Sequence, residues 1–313
     1  MNPESQSVPA FPPMPEAVTS FGAAVLDDSI YVFGGHKGER HQYYQGSASG
    51  ALHRLRLHCA NHTPHWEALP GHEPAQGTAL VAHGTSLYRV GGMSARNTKD
   101  EKSDLHSQTL VARFDVTLGA WSDFVPLPEP RSSHDAVVMA DSLYVVGGWA
   151  LAGASGGATW CDSMLRIRLT DPAPRWEIIP QPFRRRALTI AGLGDQLYCL
   201  GGIDHEGETP VDVALFNTRL GTWSKGPDLP EGPMNGFGGS AVAHGRHLYF
   251  SGLKGDLLRL DTLQAGWSVV GTLRQARFFH RLLPLGASQC VAVGGEGGEG
   301  KRQDLEVLEA PIG

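Results

Sequence analysis

A short apolar run closed by glycines recurs down the chain, and its spacing restricts the fold more than any other feature. "LYVVGG" ends at Gly148, "IYVFGG" at Gly35, "LYRVGG" at Gly92 and "LYCLGG" at Gly202, with weaker copies "LYFSG" at Gly252 and "CVAVGG" at Gly295. Successive copies lie 57, 56, 54, 50 and 43 residues apart. Each follows a second β-like run and a short turn, as in "AVVMAD" or "ALVAHGT". The first five are followed by a third run and then a lone tryptophan: Trp66, Trp121, Trp176, Trp223 and Trp267. Short apolar runs separated by turn residues at a fixed period of this length predict repeated small sheets. Each unit reads as four strands, the tryptophan opening the fourth. The diglycine ends the second strand, where the chain turns sharply or passes close to a neighbour, as glycine alone does cheaply.

The sixth unit ends at "DLEVLEAPIG" without a tryptophan strand, which would leave an open sheet edge. The N-terminus supplies a candidate. A shift of 113 residues lays Gly34 and Gly35 on Gly147 and Gly148, "PMPEA" (13–17) on "PLPEP" (126–130), and Phe11 on Phe124. The expectation is an all-β, six-bladed β-propeller, one domain over 1–313, with four antiparallel strands per blade. Its ring is closed by an N-terminal strand at about residues 8–15. The 40 glycines and 21 prolines suit many turns, and 41% hydrophobic residues suffice for a large core. A net charge of −6 gives no general attraction to nucleic acid or an anionic membrane. The N-terminus lacks the basic and apolar regions of a signal peptide, and no apolar run is long enough to span a bilayer. Four cysteines do not make a disulfide framework. These features set a cytoplasmic expectation.

The diglycine, the tyrosine before it and the tryptophan after it resemble kelch repeats over nearly the whole chain. That resemblance implies that the loops between strands 2 and 3 share one face with the inter-blade loops, and that first strands line a central channel. In size, blade count and N-terminal closure the chain is similar to the stand-alone sialic-acid mutarotases, also called N-acetylneuraminate epimerases. Such an enzyme needs a general acid and base near the sugar ring oxygen and a cation for the sugar carboxylate.

Several residues are candidates for those roles. "RSSHDAVV" carries Arg131 and His134, and "RFFHRLLP" repeats the spacing with Arg277 and His280. "PFRRRALT" puts Arg185 at the same place, flanked by Arg184 and Arg186, and "PMNGFGGS" brings Asn235 to the same rim. The arginines either bond carbonyls between blades or hold a carboxylate or phosphate bidentately. His134 and His280 are the candidate bases. Trp149 and Trp160 are the two tryptophans outside the fourth-strand position, both in the loop "WALAGASGGATWCD". They either fold onto the blade or meet a ligand. From the last glycine of each motif to its tryptophan the distances are 31, 29, 28, 21 and 15 residues. Three long loops therefore form a canopy, whose rim would include His36, Tyr43, Tyr44, Trp149, Trp160, Asp204, His205 and Glu206. The cluster of His58, Cys59, His62 and His65 reads as a polar turn without the paired spacing of a zinc module. No HExxH, Walker loop or GxSxG is present, and neither metal nor cofactor is expected.

Two functions follow. One is a basic, aromatic-rimmed pocket for a small anionic or sugar-like ligand, whose chemistry, if it is an enzyme, would be that of a sugar isomerase (mutarotase or epimerase). The other is a non-catalytic module that binds an acidic protein segment on the same face.

Overall fold

The computed structural model describes residues 11–57, 63–232 and 234–311. Five sheets of four antiparallel strands and a sixth of three make six blades. The first strands, innermost in each blade, are Gly22–Leu26, Ala79–His83, Asp135–Met139, Thr189–Leu193, Ser240–His244 and Arg281–Leu285. They pack on one another around the whole ring, that of the sixth blade against that of the first included. Six hydrophobic clusters fill the six inter-blade seams. Because every blade is covered on both faces, second strands such as Ser142–Val146 are buried almost throughout and read as continuous apolar runs.

Three repeated contacts explain the repeated residues. The second glycine of the pair sends its N–H to a carbonyl of the next blade: Gly35 to Ala75, Gly92 to Arg131, Gly148 to Arg185 and Gly202 to Gly236, at 2.6–2.9 Å. Side chains do not fit there. A Cβ on Gly147 would lie 2.6 Å from the Arg185 oxygen and one on Gly148 2.6 Å from the Ser132 oxygen, and both residues have positive φ (69° and 92°). At the outer rim each tryptophan indole N–H donates to a carbonyl of the preceding blade: Trp121 to Pro70, Trp176 to Val125, Trp223 to Pro180 and Trp267 to Pro227.

The fifth indole reports on closure. Trp66 donates to Pro12 at 3.0 Å, the residue that the 113-residue shift places on Val125. The Met14 N–H donates to Gln303 as the Leu127 N–H does to Thr109, and Met14 and Phe11 join the cluster between the sixth and first blades. Residues 11–15 thus occupy the place of the end of the sixth blade's fourth strand, though with no strand pairing of their own. Residues 8–10 of the expected closing strand lie outside the described residues.

The third contact surrounds the channel. One residue per blade, two positions before the first strand, is left-handed: Ser20, Gly77, Ser133, Ala187, Gly238 and Phe279, with φ of 52–61°. Each N–H from Gly77 to Phe279 donates to the carbonyl of its predecessor at 2.7–3.1 Å. This chain of bonds fixes which residues face the mouth of the channel.

Candidate functional site

The residue before each left-handed position forms the rim. In blade order these are Thr19, Gln76, Ser132, Arg186, Phe237 and Phe278. The residue after it, at the head of the channel, is Phe21, Thr78, His134, Leu188, Gly239 or His280. Together with the canopy these positions, Ser132 excepted, enclose a cavity of about 780 Å³, the size of a small-molecule site. Among the described residues its lining carries five cationic side chains, Arg40, Lys102, Arg186, Arg281 and Lys301, and a single carboxylate, Glu296. That excess of positive charge stands on a chain of net charge −6.

The expected arginine ring lies just outside this cavity. Arg131 is fully buried and donates to the Ser163 and Gly147 carbonyls, with Glu129 at 2.5 Å. Arg277 is also fully buried, between Asp304 (2.8 Å) and Glu306 (2.9 Å), and donates to the Gly294 carbonyl. Arg185 is held by Asp212 at 2.5 Å. Each has its carboxylate already, so each bonds its own blade and none lines the cavity. Arg89 is also buried outside the cavity but has no carboxylate partner among the described residues: it is bonded to the Gly91 carbonyl and Gln108, and burial lowers its pKa to about 10. Asn235 is buried and donates to the Pro230 carbonyl. His205 and Glu206 are exposed, pair with each other at 3.0 Å and do not reach the cavity. His58, Cys59 and His62 lie outside the described residues. Among those described, no three His, Cys, Asp or Glu side chains are grouped as metal ligands would be.

Arg186 differs from its neighbour. Its guanidinium lies 4.1 Å from the centroid of the Trp149 ring and 5.6 Å from that of Trp160. The two indoles are cross-strand partners in the hairpin Trp149–Leu151/Ala158–Trp160, with centroids 5.6 Å apart. The two indoles pack on each other in the canopy, and they hold the Arg186 guanidinium. Arg186 has no carboxylate partner among the described residues, and its buried Nε has no hydrogen-bond acceptor. Burial lowers its pKa, partly offset by Tyr43. Tyr43 completes that wall, stacked against His36 at 5.1 Å, and burial raises its phenol pKa. His36 is buried, lines the cavity and bonds the Glu39 carbonyl.

His134 and His280 line the floor, on blades three and six, which face each other across the channel. Neither has a protein partner in hydrogen-bond geometry at either ring nitrogen. Burial, reinforced by the adjacent arginines, lowers both pKa values to about 3. They are neutral imidazoles at physiological pH and weak proton acceptors, and their ring nitrogens are buried. The residues that follow them, Asp135 and Arg281, join across the channel at 2.8 Å. Asp135 also accepts from Thr189 and Ile190, and Arg281 donates to the Phe21 carbonyl. This strut bridges the channel beneath the cavity.

The canopy is tied together from the sixth blade through the third. Arg40 of the first loop grips Glu296 at 2.5 Å, and Lys301 donates to the Gly38 carbonyl. Asn97 bonds the Tyr43 carbonyl, and Asp104 accepts from the Ala154 N–H. The fourth and fifth blades carry short loops, so the wall is lowest there. Sequence reasoning missed Arg40, Glu296, Lys301, Arg281 and the phenylalanines at 237, 278 and 279. For the last two the signal was present. Aligning "RSSH" with "RFFH" already places aromatic rings at Phe278 and Phe279.

Comparison with known proteins agrees with this architecture. A family model described as Kelch motif matches residues 184–230. Kelch-like protein 35 of Homo sapiens is 31% identical over 267 residues, 73% of this chain and 42% of that protein. Kelch-like protein terF of Aspergillus terreus is 24% identical over 228 residues, 70% of this chain and 46% of that protein. The chain thus spans less than half the length of these two relatives. The solved structure of YjhT superimposes with a TM-score of 0.75 at 18% identity, covering 96% of this chain and 97% of that one.

Proposed function

Since the chain is a kelch-repeat β-propeller, a scaffold that fixes no function by itself, we propose a function from the mouth of its channel: the cavity binds a small anionic, carbohydrate-like ligand. The observation that carries this reading is Arg186, the buried-side cation without a carboxylate, lying on Trp149. A desolvated guanidinium over an indole is set to take a carboxylate or phosphate, and aromatic faces suit the apolar side of a sugar ring. His134 and His280 would then form an uncharged floor beneath the ligand. Anomer or epimer exchange, a sugar-isomerase activity, is the chemistry carried forward, with the Tyr43 phenol as a proton-bearing group on the same wall.

Thermal shift and calorimetry against sugar acids, neutral sugars and sugar phosphates test the reading. At 100 times its Kd a ligand adds about 2.7 kcal/mol of stability. A sugar-acid response lost in Arg186→Gln supports the site, and anomer exchange by NMR then tests for turnover. A silent panel, together with capture of an acidic peptide that weakens steeply with salt, would replace it with the protein-binding reading.

A further inference from the structure

The rim is divided. In blade order it runs Thr19, Gln76, Ser132, Arg186, Phe237, Phe278, so the position that holds the unpaired cation on the fourth blade holds phenylalanine on the fifth and sixth. Phe237, Phe278 and Phe279 form one cluster, with ring centroids 4.8, 5.2 and 6.1 Å apart. All three are half-buried and line the cavity, and none belongs to the six clusters that hold the blades together. Their rings close over Gly238, where a Cβ would lie 2.9 Å from Phe279 and 3.3 Å from Phe278. Met234, 42% exposed, and Leu188 extend the same surface.

Phe279 sharpens the point. Five blades place Ser, Gly, Ser, Ala or Gly at the left-handed position, and the sixth places a phenylalanine there at φ 52°. A bulky residue in that region is strained, and such strain persists at sites where the side chain is used.

We infer that the ligand carries a ring-bearing apolar group beside its acid, as in an aryl-substituted sugar acid, and that the phenylalanine wall is the subsite for that group. This rests on the anionic-ligand reading and extends it. Charge and size argue for this occupant over a bare sugar acid. The cation and the apolar wall occupy adjacent blades, as an amphipathic anion requires. A volume of about 780 Å³ falls in the upper part of the range of roughly 300–1,000 Å³ typical of drug-sized ligands.

Calorimetry on the intact chain with matched probes decides it. Glucuronate, galacturonate and N-acetylneuraminate are each compared with their 4-methylumbelliferyl glycosides, and 4-methylumbelliferyl glucoside serves as the neutral control. The aryl acid that fits should bind at least tenfold tighter than its parent acid, a gap of about 1.4 kcal/mol. In Phe237→Ser/Phe278→Ser that ratio should fall towards one, and in Arg186→Gln both acids should weaken. Equal affinity of every acid and its aryl glycoside overturns the phenylalanine subsite and leaves the anion site standing. Binding of the neutral glucoside as tight as that of the acids overturns the anion site instead. No binding by any probe overturns both. The wild-type ratios alone separate these outcomes, whatever the variants do to folding.

Discussion

Arg185 and Arg186 are consecutive residues of one short strand, and they have opposite tasks. Arg185 is 7% exposed, bonded to the side chain and carbonyl of Asp212, and turned into its own blade. Arg186 lies on Trp149 at the cavity wall with no acid beside it. Part of the division recurs on other blades. The inner layer of Arg131, Arg185 and Arg277 is neutralised and sealed, and one residue further on Arg186 and Phe278 line the cavity while Ser132 stays buried. A paired buried guanidinium holds structure together because its charge is already used. An unpaired one at a surface is available to something that arrives. Charge alone therefore does not mark a site, and the presence of a partner decides.

The comparison can be broken most sharply at Arg277. Arg277→Met leaves Glu306, 4% exposed on its side chain, with only the exposed Arg274 at 3.5 Å as a cation. Loss of one member of a buried pair costs about 3–5 kcal/mol, so urea denaturation should show a large fall in stability. A loss below about 1 kcal/mol would mean that the inner layer is not structural.

The pH dependence sharpens it at intermediate size. His134 and His280 have folded-state pKa values of about 3, against roughly 6.5 in an unfolded chain. Both are neutral in both states above that value, so their contribution to stability is complete there. As pH falls below about 6.5 the unfolded chain takes up protons that the folded one refuses, and stability is lost progressively towards pH 3. Each histidine contributes a slope of up to about 1.4 kcal/mol per pH unit. Stability measured between pH 7 and 5 should therefore fall in the wild type and flatten in His134→Gln/His280→Gln. An unchanged slope would show that burial and the adjacent arginines do not hold these rings neutral.

The smallest stability effect belongs to Arg186. Arg186→Gln removes contacts with two indoles, worth about 0.5–2 kcal/mol, and relieves an unpaired, partly desolvated charge. Its melting point should stay close to wild type while binding is lost. A drop as large as that of Arg277→Met would move Arg186 into the scaffold and remove the main support for the proposed site.

The blades were legible because their signals are local. A strand's alternation, a glycine at a positive φ and a tryptophan at a fixed offset are written within a few residues and repeated. Six copies of the glycine motif and five of the lone tryptophan therefore carried the fold, and the 113-residue shift carried the closure that Trp66 and Pro12 bear out. The site was legible only to within a residue. "PFRRRALT" offers three arginines, and alignment with Arg131 pointed to Arg185. Whether a guanidinium is spent depends on Asp212 or Glu129, which no local pattern marks as its partner.

The sequence by itself determined the number of blades, the inter-blade glycines and tryptophans, and the face on which long loops gather, because each rests on backbone geometry or on a repeat. Only the tertiary structure decided that Asp135 and Arg281, 146 residues apart, meet across the channel. It also decided that Arg186 rather than Arg185 faces the cavity, and that Phe237 and Phe278 share its position. Those outcomes depend on which residue of each blade takes the left-handed turn at the rim. A one-residue change of phase there exchanges a buried side chain for an exposed one.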